Sequence, residues 1–191
     1  MESRNVTPPA QTSAKLTHDD LLLLPDDGLR HELIDGVHYV SASPVRRHQL
    51  ISRRLAEAFM IYLRDNPCGE LYYAPLDVIL SPIDVVEPDL LYVSNERAPI
   101  LQDWVRGAPD LVIEILSPTT RKLDEQIKRH LYDRSGVLEY WVVDPELDAV
   151  KVYRHSDRGF TRAAELSREE GHAITTPLLP GLSIPLDALF R

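Results

Sequence analysis

Two carboxylates that lie inside apolar runs constrain this chain more than any other feature. Asp89 lies within residues 86–93 and Glu114 within residues 111–116, and both runs are rich in Val, Leu and Ile. Short apolar runs of this kind are typical of strands in a sheet core, where an ionised carboxylate must be paired, hydrogen-bonded or bound to a cation. The pattern predicts two buried strands whose carboxylates together bind a divalent metal ion.

The composition indicates a globular domain. Of the 191 residues 43% are hydrophobic, which is enough for a core in a single domain. The apolar runs are far shorter than the ~20 residues of a membrane helix, so we expect no membrane association. The single cysteine, Cys68, allows no internal disulfide, which favours a cytoplasmic location.

The net charge of −9 argues against a protein that coats nucleic acid non-specifically, because phosphate neutralisation needs an excess of Lys and Arg. It is compatible with an enzyme that acts on nucleic acid through local basic groups. Basic clusters occur at residues 46–48, 53–54, 121–122 and 128–130. Clusters of this kind form solvated helix faces more often than binding patches.

The order of predicted elements indicates the fold. Residues 1–15 lack periodicity and are predicted to be a flexible tail, followed by one domain over residues 16–191. Asp35-Gly36 between two apolar runs predicts a β-hairpin, and apolar residues three and four apart after Pro44 predict a long amphipathic helix. A short capped helix is predicted near residues 17–24, strands at 70–73, 76–80, 89–93, 111–116 and 138–143, a helix at 121–134, an antiparallel pair at 150–153 and 159–166, and a packed tail at 180–190.

This order contains one βαβ crossover beside hairpins, which predicts an α/β (α+β) fold with a mixed β-sheet flanked by helices. Several segments also resemble the Uma-two family of restriction endonucleases, within the PD-(D/E)xK nuclease superfamily. The segments are His31-Glu32-Leu33-Ile34-Asp35-Gly36, Glu87-Pro88-Asp89, Ile113-Glu114-Ile115-Leu116-Ser117-Pro118-Thr119, the series Asp124, Lys128 and Tyr132, and Gly136-Val137-Leu138-Glu139-Tyr140-Trp141-Val142-Val143-Asp144-Pro145. The resemblance runs from about Leu16 to the end of the chain.

The resemblance implies a restriction-endonuclease-like fold and metal-dependent hydrolysis of DNA phosphodiester bonds, with Asp89 and Glu114 holding Mg²⁺ or Mn²⁺. A hard dication held by one or two carboxylates keeps positions for water and a phosphate oxygen. Glu32 matches a third acidic residue of the superfamily and is a further candidate metal ligand. The alternatives are that Asp89 caps a turn and that Glu32 faces solvent in its hairpin.

One position departs from the superfamily pattern. Leu116 stands two residues after Glu114, where the lysine of the E-x-K motif would share its strand face. Lys128 is the candidate replacement, because Asp124, Lys128 and Tyr132 are four residues apart and share one face of the predicted helix. The alternative is a surface ion pair between Asp124 and Lys128, worth ~0.3–0.5 kcal/mol.

Three further residues have competing interpretations. Asp110 is a second Pro-Asp aspartate, but it lies four residues before Glu114 on the same predicted strand, so Asp89 on a neighbouring strand is the preferred ligand. His48 and Arg47, near the start of the long helix, are candidates for phosphate contact. A histidine at a helix end is more often merely solvated.

Alternative functions remain open. The first hypothesis is a Mg²⁺-dependent endodeoxyribonuclease, which the two costly carboxylates favour. The second is a catalytically weak or inactive protein of the same fold that binds nucleic acid or regulates, which Leu116 favours. A metal-dependent hydrolase with another substrate is the third, because a fold does not select a substrate. We also expect a homodimer, paired through residues 150–166 with Tyr153 and Phe160 exposed.

Overall fold

The computed structural model describes residues 14–25 and 27–191. Most of the tail predicted for residues 1–15 therefore lies outside the described residues. At its end, Lys15 forms an ion pair with Asp35, and the Leu16 N–H donates a 3.1 Å hydrogen bond to the Gly36 carbonyl. The chain is thus attached to the first hairpin from Lys15 onward.

The secondary structure follows the predicted order with several additions. The strands are β1 (Arg30–Ile34), β2 (Val37–Ser41), β3 (Gly69–Tyr73), β4 (Val78–Ser81), β5 (Asp84–Val86), β6 (Leu90–Ser94), β7 (Val105–Arg106), β8 (Leu111–Ile115), β9 (Glu139–Asp144), β10 (Ala149–Ser156), β11 (Gly159–Ser167), β12 (Ala173–Thr175) and β13 (Ser183–Pro185). The helices are α1 (His18–Leu21), α2 (Arg46–Asp65), a 3₁₀ turn (Ala98–Ile100), a π-helical segment (Leu123–Lys128), α3 (Arg129–Ser135) and α4 (Leu186–Phe190).

Within the described residues the strands form two large sheets and a small one. The first sheet has the order β2-β1-β5-β4-β7, the second β11-β10-β9-β8-β6-β3, and β12 pairs with β13. In the second sheet β8 and β9 are parallel, joined through the π-helical segment and α3, and the other neighbours are antiparallel. The α+β class with a mixed sheet is confirmed. The division into two sheets was not predicted; within the first sheet the short strand β5 pairs with both β1 and β4.

Local sequence signals account for the element boundaries. Asp35 and Gly36 have φ of 54° and 71°, the positive values that a tight two-residue hairpin needs, and they join β1 to β2. Thr17 caps α1 in a reciprocal capping box with Asp20. Gly136, with φ of 86°, ends α3 in the left-handed conformation that glycine adopts without a Cβ penalty.

The second sheet is covered on both faces. One face packs against α2 and the C-terminal segment, with Phe59, Trp141 and Phe190 fully buried among them. The packed C-terminal tail is therefore confirmed. The other face packs against α3 and the first sheet. Because side chains alternate along a strand, Ile113 and Ile115 face α2, whereas Glu114 points to the opposite side, toward α3.

The hairpin β10–β11 differs from its prediction. Strand β11 is at an edge of the second sheet, but Tyr153 is buried and its ring stacks on Tyr140 at a centroid distance of 6.2 Å. The Phe160 ring lies 6.3 Å from the same Tyr140. The expectation of two exposed aromatics is wrong, because both pack onto the sheet. Among residues 14–25 and 27–191, no helix has the length and apolar character required to cross a membrane.

Candidate metal centre

A cavity of about 480 Å³ opens where the first turn of α2, the end of β8 and the π-helical segment meet. Its lining includes Glu32 of β1, Asp89 just before β6, Glu114 of β8 and Lys128 at the end of the π-helical segment. All four side chains are buried. Residues that are up to 96 positions apart in the sequence therefore meet on the floor of one cavity.

Lys128 bridges two of the carboxylates. Its Nζ lies 2.7 Å from Oε1 of Glu32 and 3.0 Å from Oε1 of Glu114. The Tyr132 hydroxyl, one turn further along α3, donates a 2.7 Å hydrogen bond to the same Glu114 oxygen. Within the described parts of the chain, no hydrogen bond is made to Glu114 Oε2. Among residues 14–25 and 27–191, one oxygen of Glu114 thus has two donors and the other has none.

The Asp124–Lys128 contact differs from the surface pair considered above. Asp124 Oδ1 lies 3.7 Å from Lys128 Nζ, and both side chains are almost completely buried. The surface interpretation is therefore wrong. The segment between them is π-helical, with a wider turn than an α-helix, and such segments occur frequently at functional sites. A spacing of four residues does not reveal this local geometry.

Asp89 is held by donors on every side. His48 Nε2 and the Ile115 backbone N–H contact its Oδ2 at 3.0 and 2.8 Å, and both terminal nitrogens of Arg30 contact Oδ1 at 3.2 Å. Although burial alone would raise the pKa of Asp89, the His48, Arg30 and Ile115 interactions together hold it below its ordinary value. Asp89 is therefore a carboxylate at neutral pH, next to Glu114 on the neighbouring strand.

The carboxylates around Lys128 compete for its single positive charge. Burial raises the pKa of Glu114 to about 8, with Lys128 opposing the shift and neighbouring carboxylates adding to it. Burial also raises the pKa of Asp124 to about 6, again against the effect of Lys128. Burial by itself would lower the pKa of Lys128, but Glu114, Glu32 and Asp124 hold it above its ordinary value. Lys128 is therefore an ammonium at neutral pH, and the raised pKa of Glu114 indicates that one positive charge does not fully stabilise the carboxylates around it.

The donor set fits a hard dication bound by two carboxylates. Asp89 and the free Oε2 of Glu114 supply the oxygen ligands that Mg²⁺ and Mn²⁺ prefer, and Mg²⁺ is commonly held by one or two carboxylates with water completing its shell. Within the described residues, no three His, Cys, Asp or Glu side chains come together as a metal-binding group. Glu32, which contacts Lys128 and accepts the Glu87 backbone N–H at 2.8 Å, remains a prediction as a third ligand.

The structure also shows the surroundings of the other three candidates, Asp110, His48 and Arg47. Asp110 is at the far end of β8, where it accepts the Ser94 backbone N–H at 2.7 Å, so it is separated from Glu114. His48 is buried against Asp89, and the solvated interpretation is wrong. Arg47 lines the cavity, but its guanidinium is 2.6 Å from Asp148 and donates to the Pro145 carbonyl.

Sequence reasoning missed Arg30 as a part of this site. Arg30 contacts Asp89 and, through Nε at 2.7 Å, Glu87. A signal was present, because Arg30 and Glu32 are two residues apart on β1 and therefore share one face of the strand. Tyr132 was noted only for its spacing; its contact with Glu114 depends on how α3 packs against β8.

Comparisons with known proteins identify the family and the fold. The family model Uma2, described as "Putative restriction endonuclease", matches residues 18–187. The "Uncharacterized protein slr1290" of Synechocystis sp. is 28% identical over 164 residues, which cover 85% of this chain and 84% of that protein. A crystal structure from Anabaena variabilis ATCC 29413, described as "a putative nuclease belonging to DUF820", superposes with a TM-score of 0.77 at 21% identity and covers 92% of this chain and 97% of that one.

Proposed function

The chain belongs to the Uma2 family, and we propose that it is a divalent-metal-dependent nuclease that hydrolyses phosphodiester bonds in DNA. The observation that carries the proposal is the contact of Lys128 with Glu114, beside Asp89, in one cavity. The contact supports Lys128 as the replacement for the lysine that the E-x-K position, occupied by Leu116, lacks. Leu116 itself is buried in the apolar cluster against α3.

The metal would be held by Asp89 and Glu114. When bound, Mg²⁺ or Mn²⁺ would lower the pKa of a water molecule and offset the charge that develops on the phosphoryl oxygens. Arg30, His48 and the Ile115 N–H would keep Asp89 ionised and correctly oriented. Mutation of residues that orient a metal ligand in this way typically lowers metal affinity or activity by ~10–100-fold.

Lys128 would act through its charge. Because its pKa lies above the ordinary value, it does not act as the base that removes the proton of water. Its ammonium would instead orient the attacking water and stabilise the negative charge of the transition state. In the reaction, the water oxygen forms a bond to phosphorus and gives up a proton to solvent, one ester P–O bond breaks, and the leaving alkoxide takes up a proton from solvent, so that the protons balance. Glu32 would position Lys128 through their 2.7 Å contact.

Nicking of supercoiled plasmid DNA tests the proposal directly. We expect conversion to the open-circular form with Mg²⁺ or Mn²⁺ and none with a chelator. Glu114→Gln and Asp89→Asn should abolish the activity, whereas Lys122→Ala, which alters an exposed lysine of the same helical region, should retain it. Activity that persists in Glu114→Gln would show that another site or a contaminant is responsible.

Calorimetric titration with Mn²⁺ tests the metal site independently of cleavage. We expect binding by the wild-type protein and a large loss in Glu114→Ala, because one of two carboxylate ligands is removed. Equal affinity of the two proteins would contradict the assignment of Glu114 as a ligand.

One observation favours the second candidate function, a nuclease-fold protein that binds nucleic acid without efficient hydrolysis. Both oxygens of Asp89 already accept hydrogen bonds, so metal binding must compete with Arg30 or His48. A protein that binds DNA but does not nick it under any metal condition would support this alternative. Phosphate contact by His48 and Arg47, the homodimer and the cytoplasmic location also remain predictions.

A further inference from the structure

The shape and charge of the cavity bear on which form of DNA reaches Lys128 and the two carboxylates. We infer that the substrate is an unpaired DNA strand rather than an intact duplex. The inference rests on the proposed nuclease function, and it concerns the same site. It is carried by four observations, namely the depth of the reactive groups, the size of the cavity, the pairing of the basic residues that line it and the hydroxyl residues in its walls.

The reactive groups lie deep in the cavity. The exposed fraction of the side chain is 4% for Asp89 and 2% for both Glu114 and Lys128. A scissile phosphate must therefore enter the cavity and cannot be attacked at the protein surface. In a duplex the phosphates are on the outside, but base pairing to the partner strand holds each nucleotide in the helix. A paired nucleotide therefore cannot move into a deep cavity without first losing its base pair.

The cavity is too small for the edge of a duplex. A cube of the same volume, about 480 Å³, would be about 8 Å on a side, which is less than the ~12 Å that separates the two backbones across the major groove, so both strands of a duplex cannot enter together. The volume is within the range of small-ligand sites, ~300–1,000 Å³. A nucleotide whose base is unpaired can leave the helix axis and enter a pocket of this size, as enzymes that act on flipped-out nucleotides demonstrate.

The arginines and the lysine that line the cavity are already paired with carboxylates. Arg30 contacts Glu87 at 2.7 Å, Arg47 contacts Asp148 at 2.6 Å, and Lys128 contacts Glu32 at 2.7 Å. Double-stranded DNA carries one charge per ~1.7 Å of axis, so a duplex-binding surface needs many unpaired cations. The acidic chain, with a net charge of −9, lacks that balance.

The cavity walls suit a short stretch of a single strand. They contain small hydroxyl residues on two sides, Ser41 and Ser43 before α2 and Ser117, Thr119 and Thr120 after β8. Hydroxyl groups of this kind contact phosphate and sugar oxygens without adding charge. Such contacts are independent of sequence and do not require base pairing.

The test compares one labelled oligonucleotide as a single strand and as a blunt duplex with its complement, with saturating Mn²⁺. We expect kcat/KM to be at least about tenfold higher for the single strand, and cleavage of a duplex with an overhang to be confined to the overhang. Glu114→Gln serves as the control for contaminating nuclease in each reaction.

The outcomes separate this inference from the proposed function. Glu114-dependent cleavage of the blunt duplex at an equal or higher rate would overturn the inference and leave the nuclease function standing. Absence of cleavage of either form would overturn both. Cleavage of supercoiled plasmid, which contains transiently unpaired regions, is compatible with the inference only if the relaxed blunt duplex is cut more slowly than the single strand.

Discussion

Replacing Lys128 by Met should destabilise the protein strongly. The change removes the ammonium, which lies 2.7 Å from Glu32 and 3.0 Å from Glu114, and keeps most of the aliphatic volume. Removing one partner of a buried ion pair costs ~3–5 kcal/mol, whereas an exposed pair is worth ~0–1 kcal/mol. We therefore expect the free energy of unfolding to fall by ~3–5 kcal/mol, and Tm to fall by about 6–20 °C.

Urea denaturation at neutral pH measures this loss, with the fluorescence of the buried Trp141 as the probe. Lys122→Met is the matched control; because Lys122 is exposed, its variant should stay within ~0.5 kcal/mol of the wild type. Adding Glu32→Gln to Lys128→Met should restore part of the stability, because it removes one of the unbalanced buried carboxylates.

Two results would refute this reasoning. A loss below ~1 kcal/mol in Lys128→Met would mean that the pair behaves as an exposed one. A double variant no more stable than Lys128→Met would mean that the loss does not come from uncompensated charge. If Lys128 also acts on the substrate, the single variant should lose ~10²–10³ in turnover under conditions where it is folded.

Three further predictions concern other parts of the structure. Tyr132→Phe should lower the free energy of unfolding by ~1–3 kcal/mol, measured in urea, because the buried Glu114 loses a hydrogen bond. The pKa of Asp144 lies below its ordinary 3.8, since Arg121 and two backbone N–H groups outweigh the effect of burial. Its stabilisation is therefore fully present above pH 3.8 and is lost as the pH falls from 3.8 through the lower pKa of the folded protein. The difference in the free energy of unfolding between wild type and Asp144→Asn, measured by urea titrations at several pH values, should shrink over that range. A constant difference would contradict this. Gly136→Ala should lower Tm in a thermal scan, at a cost of ~1–2 kcal/mol from backbone strain alone, because nothing lies within 4 Å of the added Cβ; an unchanged Tm would contradict this reason.

Elements whose conformation is set by residues adjacent in the sequence could be predicted from the sequence. The Asp35-Gly36 hairpin follows from two positions that tolerate positive φ, and the end of α3 follows from Gly136. Helix α2 follows from apolar residues that recur every three or four positions. In each case the physical cause acts within a few residues, so a short window of sequence contains it.

The two central carboxylates could also be located from the sequence. An ionised group in an apolar run needs a compensating partner, and this requirement singled out Asp89 and Glu114 before any partner was known. The sequence could not identify all of the partners. Arg30, which contacts Asp89, lies 59 residues away along the chain, and the contact exists because β1 is positioned by its pairing with β5.

The tertiary structure decided what surrounds these groups. Strand β5 is too short for a clear sequence signal, yet it pairs with β1, the strand whose Glu32 contacts Lys128. The π-helical turn, in which Asp124 and Lys128 are buried, has no counterpart in the residue spacing. Sequence by itself therefore determined the local turns, the helices and the need for a charged site. The depth of the cavity and the burial of Lys128 depend on contacts between distant elements, whose geometry no local pattern contains.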